Sequence, residues 1–193
     1  MSVNAERPLA VLLNQPFADW EVGYLTASVR DFFDTDVLYY SPDGRKVTSE
    51  GGLVVKPEGS FDDIEPENHR AIVVCGSGKW ARKDATDIGP LLTAAVDQGV
   101  LVGAICAGTV AVARSGLFDG RRHTSNGRDW ILKHCRHYKG RHLYQNVNDA
   151  VFDNGIVSAP SSAPASFACV MLDHLYPDHP ALAQTKQVLA NAR

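Results

Sequence analysis

Short, wholly apolar runs that alternate with amphipathic segments constrain the fold of this 193-residue chain more than any other feature. Such runs are typical of strands that are covered on both faces, and the segments between them have helical spacing. We predict strands over Leu9–Leu13, Val37–Tyr40, Ala71–Cys75 and Val100–Ile105. This alternation predicts an α/β fold, a three-layer sandwich whose mostly parallel sheet is covered by helices on both faces.

The amphipathic segments predict helices, and two glycine-marked turns predict hairpins. The helices are expected over Asp19–Phe33, Ile88–Gln98, Ala107–Ser115, Arg128–Cys135, Phe167–Leu175 and Ala181–Ala192. One hairpin is expected over Lys46–Val55, and the other joins Gln145–Phe152 to Gly155–Ala159 through Asn154-Gly155. No internal repeat, low-complexity tract or linker divides the sequence, so we expect one domain over residues 1–193.

Charge and hydropathy narrow the classes of function. The net charge is −3 and the isoelectric point is near 6.1, which gives no general electrostatic case for nucleic acid as a partner. The first residues have a short apolar run and an acidic residue where a signal peptide carries basic ones, and no apolar stretch reaches the length of a membrane span. We therefore expect a cytoplasmic protein with neither nucleic-acid nor membrane partners.

One of the four cysteines stands at a special position. Cys106 follows the strand Val100–Ile105 directly and begins a helix, with the small residues Ala104 and Gly108 two positions to either side. This is the pattern of a nucleophile elbow with cysteine in place of serine. The helix N-terminus is expected to lower the pKa of the thiol, and the Ala107 N–H to face an oxyanion. The other three cysteines, Cys75, Cys135 and Cys169, are expected to be structural.

Histidines and tryptophans are the other candidates for a site. His123, His134, His137 and His142 lie close together with Cys135, but their spacing matches no zinc motif and basic residues interleave them, so we predict no metal and no cofactor. Trp20 and Trp80 fall beside the predicted site and are candidates for a pocket wall, with packing in the core as the alternative.

Four segments, in order along nearly the whole chain, resemble the ThiJ/PfpI superfamily, which has the class I glutamine amidotransferase-like, flavodoxin-like fold. They are Phe17-Ala-Asp-Trp-Glu21, Ala104-Ile-Cys-Ala-Gly108, Gly116-Leu-Phe-Asp-Gly-Arg-Arg-His-Thr-Ser-Asn126 and Ser158-Ala-Pro-Ser-Ser-Ala-Pro-Ala-Ser-Phe-Ala168. Within this superfamily, the segments are most similar to a bacterial branch whose members are named as intracellular proteases or amidases.

The resemblance implies roles for individual residues. Cys106 would be the nucleophile and Glu21 its carboxyl partner, protonated and donating to the thiolate; Gly78 and Ala107 would supply oxyanion N–H groups. Asp19 and Asn126 would join the two tryptophans around the pocket. The family is usually dimeric, which implies a homodimer.

At several positions the sequence departs from the family pattern, and these departures argue against some of the activities known in the family. Ser77 replaces the middle of a Pro-Gly-Gly loop, and Ala107 stands where protease-type members carry a histidine. Asn126 stands where another branch has a histidine, and His123 could replace it only if the loop turned differently. We find no downstream His-x-Glu pair, so hydrolysis of free glutamine is not expected.

These observations predict a cysteine-dependent enzyme, a hydrolase or lyase that acts on a small electrophilic metabolite. One alternative is a non-catalytic redox sensor in the stress response, or a chaperone-like protein, that uses the same cysteine. Two further alternatives are an intracellular cysteine peptidase or amidase and a degenerate family member retained for scaffolding.

Overall fold

A seven-stranded sheet forms the centre of the computed structural model, which describes residues 7–191. Its strands run in the order β5-β2-β1-β6-β7-β9-β8, and all are parallel except β8, which is antiparallel to β9. They are β1 Leu9–Leu12, β2 Val37–Ser41, β5 Gly59–Ser60, β6 Ala71–Val74, β7 Leu101–Ile105, β8 Val151–Asp153 and β9 Ile156–Ala159. A separate hairpin pairs β3 Val47–Thr48 with β4 Val54–Val55.

Helices cover both faces of the sheet. They are α1 Asp19–Phe32, α2 Gly89–Asp97, α3 Gly108–Arg114, α4 Arg128–His134, α5 Pro164–Leu175 and α6 Leu182–Ala190. Alternate residues of one strand enter different cores: Leu9 and Val11 pack with residues of α1 and α5, whereas Ala10 and Leu12 pack with residues of α2 and α3. This is why the strands are continuous apolar runs, and it confirms the predicted α/β sandwich.

The prediction differs from the structure in three elements. The strand expected over Gln145–Phe152 is confined to Val151–Asp153, where a three-residue ladder with β9 supports it at the edge of the sheet. Helix α5 begins at Pro164, ahead of the expected Phe167, because proline is well suited to a first helical turn. The short edge strand β5 was not expected, and Ala192, the predicted last helical residue, lies outside the described residues.

The winding of the sheet shows where sites are expected. From β1 the chain passes to β2 on one side, and later returns to β6 on the other side of β1. Open α/β sheets bind ligands outside the carboxyl ends of their strands, above all where the winding reverses. In the described range, none of the helices is long and apolar enough to cross a bilayer.

Candidate active site

Cys106 occupies a sharp turn between β7 and α3. Its φ is +55°, a left-handed conformation that costs energy for any residue with a side chain. Its N–H donates to the Ala159 carbonyl at 2.9 Å, which ties the turn to the end of β9. Gly108 lets α3 approach β6, since a Cβ there would lie 2.4 Å from the Val74 carbonyl oxygen. The elbow predicted from small neighbouring residues is therefore the local geometry of this chain.

Asn126 contacts the sulfur directly. Its Nδ2 donates to Cys106 Sγ at 3.2 Å. Its Oδ1 accepts a hydrogen bond from the Ser161 N–H at 2.9 Å. Because the Ser161 N–H fixes the amide oxygen, the NH₂ group of Asn126 must point away from Ser161. This second hydrogen bond therefore keeps the NH₂ group directed at the sulfur. Asn126, at the position where another branch of the family has a histidine, is thus a donor that cannot act as a base.

Glu21 brings a carboxyl group to the same sulfur from α1. It is 1% exposed, and its carboxyl lies so close to Gly76 that a Cβ on that residue would be 1.9 Å from Oε2. Both carboxyl oxygens are buried, and neither makes a hydrogen bond of full geometry. Burial raises the pKa of Glu21 to about 7, while the nearby Cys106 thiol and Gly76 N–H lower it by less.

The Cys106 thiol has a raised pKa, contrary to the expectation from its position at a helix N-terminus. Burial is the main cause and the charge of Glu21 adds to it; together they raise the pKa to about 12, although Asn126 and the Ala107 N–H lower it. The helix α3 has only seven residues, so its dipole is a small opposing effect. Glu21 and Cys106 are therefore two neighbouring acidic groups, and ionisation of one makes ionisation of the other less favourable.

A network of hydrogen bonds from hydroxyl groups holds the backbone of the elbow. The Thr109 hydroxyl donates to the Cys106 carbonyl at 2.5 Å and shares a hydrogen bond with the Ser125 hydroxyl at 2.6 Å. The Tyr144 hydroxyl donates to the Ser125 carbonyl at 2.9 Å. Sequence reasoning did not identify these three residues. The only available signal was the presence of Ser125 beside Asn126 in the family-like segment.

The two candidate oxyanion donors lie in different settings. The Ala107 N–H faces the sulfur closely enough to lower the pKa of Cys106. Gly78 is exposed and begins the 3₁₀ turn Gly78–Ala81, so its N–H has no partner within the turn. The hydroxyl of Ser77 is turned away and donates to the Pro16 carbonyl at 2.6 Å.

The candidate pocket residues at α1 and after β6 do not surround the sulfur. Trp80 is fully buried in the core, where its Nε1 donates to the Cys75 carbonyl at 2.9 Å, and it is not among the residues that line the cleft beside Asn126. Trp20 is 51% exposed on the outer side of α1. Asp19 accepts a hydrogen bond from the Gly51 N–H at 3.2 Å and thereby holds the β3–β4 hairpin against α1.

His123 is fully buried away from the sulfur. Its ring stacks on Phe118 with 4.1 Å between centroids, and its nitrogens hydrogen-bond to the Arg121 carbonyl and the Tyr138 hydroxyl. Burial lowers the pKa of His123, so it is held as a neutral core residue and does not replace the family histidine. Within residues 7–191, His, Cys, Asp and Glu side chains form no group of three or more that could hold a metal ion.

Uncharged polar residues dominate the cleft beside Asn126. One hollow of about 460 Å³ and another of about 180 Å³ share Asn126, Gly127, Tyr144 and Asn146 in their linings. The larger one is also lined by Arg128, Asp129 and Trp130, whereas the smaller one carries no charged side chain and adds Ser161 and Ser162. A small, neutral molecule that offers hydrogen-bonding groups fits such walls.

Comparison with known proteins points to one family. The model of the DJ-1/PfpI family matches residues 7–173. A relative from Bacillus subtilis named uncharacterized protease YoaZ is 32% identical over 165 residues, which cover 82% of this chain and 78% of the relative. A second Bacillus subtilis relative, uncharacterized protease YdeA, is 27% identical and the match covers 91% of this chain and 86% of that protein.

Solved structures agree with the sequence matches. The DJ-1 superfamily protein Atu0886 from Agrobacterium tumefaciens superposes with a TM-score of 0.88 at 36% identity, over 96% of this chain and 99% of that one. A thiJ/pfpI family protein from Bacillus anthracis gives a TM-score of 0.85 at 27% identity, over 97% and 90% of the two chains.

Proposed function

The chain belongs to the DJ-1/PfpI family, and from that premise we propose that it is a cysteine-dependent enzyme, a hydrolase or lyase that acts on small electrophilic metabolites. One observation carries the proposal. The Cys106 sulfur, on a strained elbow, lies against a buried carboxyl and 3.2 Å from a fixed amide donor at the edge of a polar cleft. Strain and buried charge of this kind are costly for stability and are typical of reactive centres.

Glu21 is suited to take the thiol proton. With a pKa of about 7, its carboxylate is available near neutral pH, and the Cys106 thiol lies within hydrogen-bonding reach of it. When the thiol proton moves to Glu21, the repulsion that adds to the effect of burial on the pKa of Cys106 disappears, and Asn126 and Ala107 donate to the new thiolate. The sulfur then attacks the electrophilic carbon while Glu21 retains the proton for the leaving group or the substrate oxygen.

The developing oxyanion would be held by backbone groups. As the C–S bond forms, the electron pair of a carbonyl substrate moves to its oxygen, and the Ala107 and Gly78 N–H groups can donate to that atom. The substrate we propose is small, neutral and polar, in keeping with the asparagine, serine and tyrosine side chains of the smaller hollow.

Peptidase activity, the third possibility, has less support from the side chains. The residue after the nucleophile is Ala107, and His123 is locked in the core by Phe118, Tyr138 and the Arg121 carbonyl. Neither of these two positions therefore supplies a histidine base to Cys106. The word protease in the relatives' names is compatible with a hydrolase acting on smaller substrates.

The test is a turnover screen with matched cysteine variants. Wild-type protein is incubated with small aldehydes, ketones, esters, amides and nitriles, and their consumption is followed by proton NMR. Turnover should be lost in Cys106→Ser and reduced at least about a hundredfold in Glu21→Gln, since proton transfer by a positioned group contributes about 10²–10⁴ in rate. Cys135→Ser, which removes a buried cysteine elsewhere in the fold, should keep full activity.

A redox sensor is the second candidate, because the groups around the sulfur would also suit a sulfinate. Asn126 and Ala107 offer N–H donors, and a protonated Glu21 would offer an O–H. This candidate is favoured if stoichiometric peroxide adds two oxygens to Cys106 by mass spectrometry and no compound in the screen is consumed.

We also propose that the protein is cytoplasmic and forms a homodimer. Cys75, Cys106 and Cys135 are free thiols, which suits a reducing compartment. Large apolar side chains are exposed on the β3–β4 hairpin and on the first turn of α1, including Trp20, Leu53 and Val54. Because Asp19 holds the hairpin against α1, these side chains belong to one surface that a second copy can cover.

A further inference from the structure

Another cavity, of about 400 Å³, lies outside the cleft beside Asn126, at the carboxyl ends of β1, β2 and β6. Its lining comes from Asn14 and Gln15 after β1, from the Pro42–Val47 turn after β2, and from residues between Lys79 and Thr86 after β6. The cavity stands where the winding of the sheet reverses between β1 and β6, the position at which open α/β sheets bind ligands. It is separate from the cleft of Cys106, with which it shares no lining residue.

The cavity is positively charged although the chain as a whole is acidic. It is lined by four cationic and two acidic side chains, namely Arg45, Lys46, Lys79, Arg82, Asp43 and Asp84. Each acid has an arginine beside it, with 2.8 Å between Arg82 and Asp84 and 3.6 Å between Arg45 and Asp43, and all four side chains are largely exposed. Lys46 and Lys79 form no ion pair in the described part of the chain, so their ammonium charges remain available.

A buried amide adds a second, independent observation. Asn14 lines the cavity, is 6% exposed, and its Nδ2 has no hydrogen-bond partner among residues 7–191. A buried donor without a partner is destabilising, and such groups in folded proteins call for an explanation. An acceptor atom on a ligand in the cavity would supply the missing partner.

Buried contacts hold the cationic turn in place. Trp80, between Lys79 and Arg82, is fully buried, and Arg114 Nη1 donates to its carbonyl at 2.8 Å. On the opposite wall, the Ser41 hydroxyl donates to the Arg45 carbonyl at 2.8 Å. The backbones that carry the charges are therefore fixed, and only the long side chains need to converge on a ligand.

We propose that this cavity binds a small molecule that carries a phosphate group. The two ammonium groups of Lys46 and Lys79 act as point charges, and together they match the charge of a phosphate, which is close to −2, better than the single charge of a carboxylate. Lys46, Lys79 and the Asn14 amide would together donate to the phosphate oxygens. The volume lies in the range of small-molecule sites. The proposal stands independently of the chemistry at Cys106.

Isothermal titration of the full-length protein with inorganic phosphate tests this. We expect saturable binding that weakens at least about tenfold in the double variant Lys46→Gln/Lys79→Gln, because hydrogen bonds to charged groups contribute about 1.5–3 kcal/mol each, and 1.4 kcal/mol is tenfold. The exposed Lys133 on α4 is the matched control, and Lys133→Gln should bind phosphate as the wild type does. Cys106→Ser should also bind normally.

Two further measurements separate a built site from diffuse attraction. Asn14→Ala should weaken phosphate binding while its unfolding transition stays intact. If this variant does not fold, the binding of phosphate to the Lys46→Gln/Lys79→Gln variant is the test. Acetate at matched ionic strength should bind far more weakly than phosphate. Absence of binding, equal affinity in the lysine double variant and in Lys133→Gln, or equal affinity for acetate and phosphate would overturn the proposal.

Discussion

Glu21 and Cys106 place two titratable groups in a space that stabilises one negative charge. The carboxyl is 1% exposed and makes no hydrogen bond of full geometry, while the thiol beside it is half-buried. Burial therefore raises the pKa of both groups, and ionisation of either one makes ionisation of the other harder. Such a pair lowers the stability of the folded protein and favours proton transfer between the two groups.

Replacement of Glu21 should change the pH dependence of stability. The pKa of Glu21 in the folded state, about 7, is above its ordinary value of 4.5, so between these values the unfolded chain has lost a proton that the folded chain keeps. The stability contributed by this proton is present below pH 4.5 and is lost as the pH rises through 7. The loss is about 3 kcal/mol for a shift of this size. Urea unfolding should therefore show Glu21→Gln stabilised relative to the wild type at pH 8 and not at pH 4.5.

The control for this prediction is Glu67→Gln, which removes an exposed carboxylate outside the site. Its difference from the wild type should be small at both pH values. If Glu21→Gln and Glu67→Gln had the same pH profile of stability, the raised pKa of Glu21 would be contradicted.

Asn126 should act on the reactivity of the sulfur. In Asn126→Asp a donor 3.2 Å from Sγ becomes an acceptor with a negative charge, which disfavours the thiolate. We expect alkylation of Cys106 at neutral pH to slow about ten- to a hundredfold, the range for a lost hydrogen bond to a charged group. The measurement is peptide mass spectrometry after timed exposure to iodoacetamide. Asn148→Asp adds the same charge to the cleft at a greater distance; equal slowing in both variants would argue against a specific contact.

The position of the reactive residue could be predicted from sequence, and its electrostatics could not. Ala104 and Gly108 around Cys106 indicate an elbow, and the family resemblance adds Glu21. The direction of the thiol pKa depends on enclosure by α1 and on the charge of Glu21, which are tertiary facts. For the same reason the burial of Trp80 and His123 was not evident from their places in the sequence.

At the scale of elements, the site depends on how closely α3 and β6 approach. A Cβ on Gly108 would lie 2.4 Å from the Val74 carbonyl oxygen, an overlap with rigid backbone. We expect Gly108→Ala to lower the free energy of unfolding by about 1–3 kcal/mol, as overpacking does, and to slow alkylation of Cys106 because the elbow is displaced.

Helix α1 provides the control for that substitution. Gly23 lies within α1 and a Cβ there would meet nothing within 4 Å. Gly23→Ala should raise stability by about 0.5–1 kcal/mol through helix propensity alone and leave alkylation unchanged. Chemical denaturation of both variants measures the difference. A neutral or stabilising Gly108→Ala would contradict the close approach.

The elements themselves were largely predictable where burial decides their structure. Runs such as Ala71–Val74 are covered on both faces, so their apolar continuity identified them as strands. The strand expected from Gln145 was predicted too long, because a strand at the exposed edge of a sheet has no continuous apolar run. Pairing with β9 determines where β8 begins. Single-residue signals at the ends of helices, such as Pro164, refine boundaries that periodicity leaves open.

At the scale of the whole molecule, the exposed apolar surface predicts self-association. Leu53 and Val54 on the hairpin are 59% and 66% exposed, and Trp20 on the neighbouring α1 is 51% exposed. We expect sedimentation analysis to give a dimer for the wild type and a monomer for Leu53→Asp/Val54→Asp, since two buried charges would oppose the interface. Val188→Asp, at a residue of α6 that is 55% exposed, should remain dimeric. A monomeric wild type, or a dimeric double variant, would remove this surface as the interface.

The pH profile of Cys106 alkylation by iodoacetamide, in wild type and Glu21→Gln, tests the central claim most directly. If Glu21 and Cys106 share one charge, the wild-type rate should rise with a midpoint near pH 7, as Glu21 loses its proton and can accept that of the thiol. In Glu21→Gln this step should vanish and leave one titration at higher pH. A single rise near the ordinary thiol pKa of about 8.5 in both proteins would contradict the account, because Cys106 would then titrate independently of Glu21.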